Sequence, residues 1–222
     1  MDKVFKVEIT NGEPNGYLSA TFLDLPASEN EYIQAQIQAK VANSEKMETE
    51  VLQVYQGPVT TDMVDGTPFS ELNTLAAVLS QLDNTQEFAL EGMLKIRQEA
   101  TGVQEIPVSD ILHMADNTDR CMVATHIWDH LALGHLLYET ELMPESAARL
   151  LDVTKAGSEY QNELLTVCAR QWQRETKGVF VSQGYVEPDP EFLPFLLGQK
   201  QIQDESPQML SLIHISEPTR PY

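Results

Sequence analysis

The stretch from Ser70 to Ile96 reads SELNTLAAVLSQLDNTQEFALEGMLKI, and it sets the centre of the predicted fold. Its apolar residues recur at helical spacing on both sides of the polar break Asp83-Asn84-Thr85. Ser70 suits the N-cap of the first half, and the polar break opens the second half. The pattern predicts two helices joined by a tight turn, a helical hairpin that forms a subdomain over residues 58–103.

The residues before this hairpin predict a ββαβ subdomain over residues 1–57. KVFKVEIT (3–10) and YLSATFLDL (17–25) alternate as strands do, and turn-forming residues lie between them. Ser28 with Glu31 predicts a capping box for a helix that runs to about Val41. TEVLQVYQ (49–56) predicts a third strand.

The residues after the hairpin predict a mixed, mostly helical α/β subdomain over residues 104–190. The sequence predicts helices over 108–115, 130–139, 145–151 and 158–175, and strands over 120–127 and 178–186. The last is predicted to be either one strand or a hairpin bent at Gly184. The fold class is therefore predicted to be α+β, with three small subdomains.

Residues 191–222 are predicted to form a tail, because the apolar run from Phe192 to Leu197 is interrupted by a proline. The last thirteen letters, LSLIHISEPTRPY (210–222), are typical of a translated sequencing adapter. They are treated as an artefact that plays no part in the fold.

Acidic residues greatly outnumber basic ones. The chain has 34 Asp and Glu against 14 Lys and Arg, a formal net charge of −20. The excess is −5 over residues 1–57, −5 over 58–103, −8 over 104–190 and −2 over 191–222, so it is not confined to one tail. A distributed excess predicts a negative surface that repels nucleic acid and anionic membranes and favours basic partners. The alternative is that the charge serves only solubility or a halophilic habit.

The two cysteines and the apolar runs predict a cytoplasmic protein. Cys121 and Cys168 lack the CxxC spacing of a metal or redox motif and are expected to be buried free thiols of a reducing compartment. The N-terminus lacks an apolar stretch of signal-peptide length. No run approaches the ~18 apolar residues of a membrane span, so no membrane interaction is expected.

Motifs for catalysis, metal binding and DNA binding are weak. His126, His130 and His135 have H-x3-H-x4-H spacing, but the predicted strand ends near His126 and a helix begins near His130, which breaks the geometry of a zinc site. G-x-S-x-G, Walker and G-x-G-x-x-G motifs are absent. The densest basic stretch, Arg170 to Lys177, is too sparse for phosphate contacts. No catalytic, metal-binding or cofactor-binding residue is predicted, although a hydrolase that uses a carboxylate pair stays open.

Carboxylates arranged along helices are the more informative pattern. Asp83, Glu87 and Glu91 recur every four residues and are expected to stand about 6 Å apart, a spacing similar to that of successive DNA phosphates. Glu159 and Glu163 repeat at i,i+4 without a basic neighbour. Solvated helix faces that favour acids in the first turn are the structural alternative. The predicted partner-binding residues are Asp62, Asp65, Glu71, Asp83, Glu87, Glu91, Glu139, Glu141, Glu145, Glu159 and Glu163.

Two segments resemble ArdA-type antirestriction proteins, including variants from gut bacteria and their mobile elements. They are Ser70–Leu79 with its continuation through Phe88–Met93, and Gly178–Val186. The resemblance implies an elongated three-part fold, a homodimer, and mimicry of bent B-form DNA that fills the DNA groove of type I restriction–modification enzymes. It implies neither catalysis nor a cofactor. An acidic interaction module of a conjugative element, which binds another basic partner, is the alternative function.

Overall fold

The computed structural model describes residues 2–12, 19–41 and 47–199. Within these residues the chain forms nine α-helices and six β-strands, arranged as two small antiparallel sheets with helices packed around them. The predicted α+β class is confirmed.

The first sheet has the order β2-β1-β3 and is antiparallel throughout. Its strands are β1 (Phe5–Thr10), β2 (Ala20–Leu25) and β3 (Glu48–Val54), and helix α1 (Glu29–Gln38) lies between β2 and β3 in the chain. The side chains of Phe5, Val7 and Ile9 are fully buried, while the residues between them face the other side of the sheet. Ser28 and Glu31 form the predicted capping box at the start of α1. The predicted ββαβ arrangement is confirmed.

The helical hairpin consists of α3 (Phe69–Leu79) and α4 (Asn84–Thr101), preceded by the short helix α2 (Thr61–Val64). Asp83 is the N-cap of α4, and its Oδ1 accepts a hydrogen bond from the Gln86 backbone N–H at 2.9 Å. Helix α4 ends at Gly102, whose φ of +68° is a conformation that glycine adopts at little cost. Helix α2 lies between the predicted third strand and the predicted hairpin, where the sequence predicts no helix.

The remaining elements begin with α5 (Val108–Ala115), a 3-10 turn (Thr118–Arg120) and β4 (Cys121–Thr125). Five further elements form the rest of the second sheet and its helical cover: α6 (His130–Glu139), α7 (Glu145–Asp152), α8 (Glu159–Thr176) and the hairpin of β5 (Val179–Val181) with β6 (Gly184–Pro188). The second sheet has the order β4-β6-β5 and is antiparallel. The final predicted strand is thus a two-stranded hairpin that turns at Ser182 and Gln183.

Two clusters of buried side chains hold these elements together. The larger cluster contains residues from all three predicted subdomains, among them Val7, Leu72, Met93, Ile111 and Val186. The smaller cluster lies between α6, α8 and the second sheet and includes Leu133, Leu137, Leu165, Ala169 and Tyr185. Each large apolar side chain that is fully buried contributes about 1.5–3 kcal/mol. Helix α4 contacts both β5 and β6, so the hairpin connects the first half of the molecule to the second sheet.

The predicted tail begins with residues that belong to the fold. Helix α9 (Leu193–Leu196) packs against the larger cluster. Phe192, which precedes the helix, and Leu196, its last residue, are buried there with exposures of 4% and 0%. The guanidinium carbon of Arg97 lies 4.7 Å from the centroid of the Phe195 ring. Arg97 also pairs with Asp110, with 3.2 Å between Nη2 and Oδ2. The predicted adapter sequence, residues 210–222, lies outside the described residues.

Candidate partner-binding surface

The eleven predicted carboxylates face solvent to different degrees. Nine of them are exposed, whereas Glu87 and Glu91 are half-buried. Among the described residues, Glu145 is the one member that forms an ion pair, with Arg149 in the next turn of α7. The other ten carboxylates have no ion-pair partner among the described residues, so their negative charges are not offset by a basic side chain in contact.

The predicted stripe on α4 is partly used inside the fold. Asp83 caps the helix, as described above, and Glu91 binds the turn between β5 and β6. One oxygen of Glu91 accepts from the Ser182 backbone N–H at 2.9 Å, and the other accepts from the Ser182 hydroxyl at 2.6 Å. Glu87 lies beside Glu91 at a groove of about 350 Å³ that is also lined by Phe88, Gly57 and Pro58. Two of the three acids of this stripe, Asp83 and Glu91, therefore also have hydrogen-bond partners within the chain.

Asp62, Asp65 and Glu71 belong to the half of the molecule built around the first sheet. Helix α2 packs on β3, and helix α3 packs on β2 and α5. Asp62 and Glu71 each lie in the first turn of their helix, where the helix dipole stabilises a negative charge. Asp65 accepts a hydrogen bond from the Gly66 backbone N–H at 3.0 Å. A local structural reason therefore exists for each of these three acids.

Helices α6 and α8 pack as an antiparallel pair. At one end of the pair, His130 Nε2 lies 2.8 Å from Gln173 Oε1, near the end of α8. Midway along α6, Gly134 packs directly against the backbone of Leu165. Because contacts near the start of α6 lie late in α8, the end of α6 and the start of α8 share one end of the pair. Glu139, at the end of α6, and Glu159, at the start of α8, therefore lie at the same end of the pair although they are twenty residues apart in the sequence.

This shared end, together with the start of α7, gathers five carboxylates that we call the acidic end. Tyr138 donates a hydrogen bond to Asp152, which ties the end of α6 to the end of α7 and raises the pKa of Tyr138. The acids of the segment from the end of α6 to the start of α7 therefore lie at the same end of the molecule as those at the start of α8, although the sequence shows them only as separate segments. The members of the acidic end are Glu139, Glu141, Glu145, Glu159 and Glu163.

Folding alone does not favour several of these acids. Glu139 is the last residue of α6, where the helix dipole disfavours a negative charge, and the last turn of α6 has no basic residue. Glu159 and Glu163 repel each other at i,i+4 on α8, a cost of about 0.2–0.5 kcal/mol. Glu141 adopts a left-handed conformation, with φ +59°, that is uncommon for a residue other than glycine. A role in binding would account for charges that weaken the helices.

The solvent face of the first sheet carries acids that the sequence reasoning missed. The register of β1 and β3 places Glu8 directly opposite Glu50, and Glu48 lies two residues before Glu50 on the same strand. Alternation in the segments VEIT and ETEV is the sequence signal that could have placed these residues on one face. The pairing of Glu8 with Glu50 depends on strand register, which the sequence does not specify.

The histidines and cysteines of the described residues form neither a metal cluster nor an activated thiol. Across residues 2–12, 19–41 and 47–199, no group of three His, Cys, Asp or Glu is close enough to hold a metal ion. His126 follows β4 with φ +65° and contacts the Trp128 ring edge-on. Burial raises the pKa of the Cys121 thiol to about 12 and also raises that of Cys168, so both thiols are protonated and weakly nucleophilic at neutral pH.

No helix in the described part of the chain is both long enough and apolar enough to serve as a membrane span. No family model matches the chain, and no curated protein matches its sequence. The surface chemistry described above is therefore the basis for a functional proposal.

Proposed function

We propose that the chain is a non-catalytic DNA mimic of the ArdA type, which occupies the DNA groove of a type I restriction–modification enzyme. The exposed carboxylates would take the positions of DNA phosphates against basic residues of that groove. The observation that carries the proposal is the set of ten predicted acids without an ion-pair partner in the described residues. This role needs no cofactor and places the protein in the cytoplasm, where restriction enzymes act on incoming DNA.

Many weak contacts would supply the affinity. An exposed ion pair contributes only about 0.2–1 kcal/mol, so no single carboxylate dominates such an interface. The net charge of −20 would also steer the chain toward a basic groove and accelerate association. Both effects are screened by salt, because the Debye length shortens from about 10 Å at 0.1 M to about 3 Å at 1 M.

Binding to a type I methyltransferase core is expected to be stoichiometric and to weaken at least about tenfold between 50 and 200 mM salt, as for ligands that neutralise several basic residues. The measurement is fluorescence anisotropy of the labelled chain at each salt concentration, followed by displacement with an unlabelled duplex. Duplex DNA is expected to displace the chain because both would occupy the same groove.

Three outcomes would contradict this proposal. Binding that duplex DNA does not displace would favour the acidic interaction module with another basic partner. Turnover of a substrate, or complete loss of inhibition on changing one carboxylate to its amide, would favour an enzyme. Binding that is insensitive to salt would exclude electrostatic mimicry as the source of affinity.

We further propose that the chain is a homodimer joined through an apolar patch beside the acidic end. We define this patch by three exposed apolar side chains in the segment from α7 to the start of α8: Leu150, Val153 and Tyr160, which are 48%, 82% and 57% exposed. Large apolar side chains grouped at a surface are typical of protein–protein contacts, whereas duplex DNA offers few apolar partners.

Changing Val153 and Tyr160 together to Asp is expected to convert the dimer to a monomer, because two charges would be buried without partners. Size-exclusion chromatography with light scattering measures the mass. Val103→Asp is the matched control, since Val103 is 51% exposed in the segment after α4, away from the patch. A monomeric parent chain at micromolar concentration, or dissociation by the control, would exclude this interface.

A further inference from the structure

The solvent face of the first sheet presents a row of three side chains across its three strands. Because Phe5, Val7 and Ile9 point into the core, the alternate residue Glu8 points to the other face. The register sets Glu8 opposite Phe22 on β2 and opposite Glu50 on β3. With about 4.8 Å between neighbouring strands, an aromatic ring and two carboxylates stand side by side.

None of these carboxylates forms an ion pair among the described residues, although Lys6 lies two residues from Glu8 on the same face of β1. Glu48 lies two residues from Glu50 on the same face, about 7 Å along the strand. Directly opposed like charges destabilise a sheet. Charged residues on an edge strand such as β3 can guard against edge-to-edge pairing, but Glu8 belongs to the central strand, where that reason does not apply. Protection of a sheet edge therefore does not explain the opposition of Glu8 and Glu50.

Phe22 adds a surface that already binds a cation. Its side chain is 58% exposed, and the ammonium nitrogen of Lys6 lies 5.3 Å from the centroid of its ring. That distance is within the range of a cation–π contact. Phe22 also forms one wall of an open groove of about 330 Å³ between β2 and α1, lined in addition by Gln34 and Gln38. An incoming cation would compete with Lys6 for the ring of Phe22 and would have room in the groove beside it.

We propose that this sheet face, defined as Glu8, Phe22, Glu48 and Glu50, is a docking surface for an arginine-rich segment of a protein partner. Charge complementarity points to a basic occupant, and the exposed ring selects arginine over lysine. A planar guanidinium can stack on Phe22 while its N–H groups donate to the neighbouring carboxylate of Glu8, whereas an ammonium cannot make both contacts with the same geometry.

The inference rests on the proposed role of the chain as a ligand for basic protein surfaces. The sheet face is an additional surface, because it contains none of the eleven predicted carboxylates. The sheet face also differs in chemistry from a DNA backbone, because a phosphate row has no aromatic ring between its charges. It would therefore discriminate among basic partners, whereas the acidic end would attract any of them.

The test is a titration of the 15N-labelled chain with tetra-arginine and with tetra-lysine at 150 mM salt, followed by two-dimensional NMR. Amide signals of β1, β2 and β3 are expected to shift first, and tetra-arginine is expected to bind about threefold more tightly than tetra-lysine because of the stacking contact. Shifts that begin at the acidic end, or equal affinity for both peptides at the sheet face, would overturn the proposal.

Variants distinguish the contribution of the aromatic ring from that of the carboxylates. Phe22→Ser is expected to abolish the preference for arginine, and Glu8→Gln with Glu50→Gln is expected to weaken both peptides about tenfold. Glu105→Gln with Asp116→Asn is the control, since it makes the same charge change at exposed positions outside the sheet. Equal weakening by the control would reduce the effect to net charge and overturn the proposal.

The two proposals fail in different experiments. If the chain fails to bind the methyltransferase but still binds arginine peptides selectively, the restriction enzyme is excluded as the partner. The docking surface is then still supported. If the chain binds the methyltransferase but the signals of β1, β2 and β3 do not respond to the peptides, the docking surface is excluded and the DNA-mimic proposal is still supported. Unchanged NMR spectra of the variants outside the first sheet verify that each variant is folded.

Discussion

Changing Glu139, Glu141, Glu159 and Glu163 together to Gln is expected to weaken binding to a type I methyltransferase about 30-fold. Each exposed contact contributes about 0.5 kcal/mol, and the four together about 2 kcal/mol, at 1.4 kcal/mol for each factor of ten. These four are the members of the acidic end that lack an ion-pair partner in the described residues, since Glu145 pairs with Arg149. The measurement is the dissociation constant by anisotropy at 100 mM salt.

The matched control changes four exposed acids outside the predicted surface to their amides: Glu99, Glu105, Asp116 and Asp119. Both variants lose four negative charges, so long-range steering should fall equally in each. The control should therefore slow association as much as the test variant but should leave the dissociation rate unchanged. Equal loss of affinity in both variants would show that net charge, rather than the arrangement at the acidic end, determines binding.

Unfolding is not expected to explain the loss in the test variant. Removing the i,i+4 repulsion of Glu159 and Glu163 should stabilise α8 by about 0.2–0.5 kcal/mol. Removing Glu139 relieves an unfavourable charge at the end of α6, while removing Glu159 forfeits a favourable one at the start of α8. A thermal midpoint close to that of the parent chain would verify that only the binding surface has changed.

Local signals predicted most of the helices and strands. The capping boxes that begin at Ser28 and Asp83 depend on residues three apart, so the sequence contains both partners of each hydrogen bond. The helical spacing over residues 70–96 likewise needs no distant contact. By contrast, the pairing of β4 with β6 joins residues about sixty positions apart, and helix α9 is held by packing on Phe192 and Arg97. Such contacts follow from the assembled fold and not from a local pattern.

The candidate surface shows the same division. The sequence identifies the carboxylates and their helical spacing, but it does not reveal their partners, as the bond of Glu91 to a serine 91 residues away demonstrates. Convergence at the acidic end depends on the antiparallel packing of α6 and α8, and the row on the sheet face depends on strand register. Composition therefore predicted the kind of surface, whereas packing determined which acids share it.

Gly134→Ala is expected to destabilise the chain by about 2 kcal/mol, although alanine is intrinsically better than glycine in a helix by about 1 kcal/mol. A Cβ at position 134 would lie 2.5 Å from the carbonyl oxygen of Leu165 and 2.7 Å from its carbonyl carbon. These are backbone atoms of α8, so they cannot move aside as a flexible side chain does. Relief requires α6 and α8 to separate, and this loosens the smaller hydrophobic cluster.

Urea denaturation followed by the fluorescence of Trp172, which packs against that cluster, measures the change. His135→Ala is the control on the same helix, because His135 is exposed and its change should alter the free energy of unfolding by less than about 0.5 kcal/mol. Separating the helices also alters the spacing between Glu139 and Glu159. Gly134→Ala should therefore weaken methyltransferase binding when binding is measured without urea, where the variant is fully folded. A variant as stable as the parent chain, with unchanged binding, would mean that the close approach of α6 and α8 does not hold the acidic end in place.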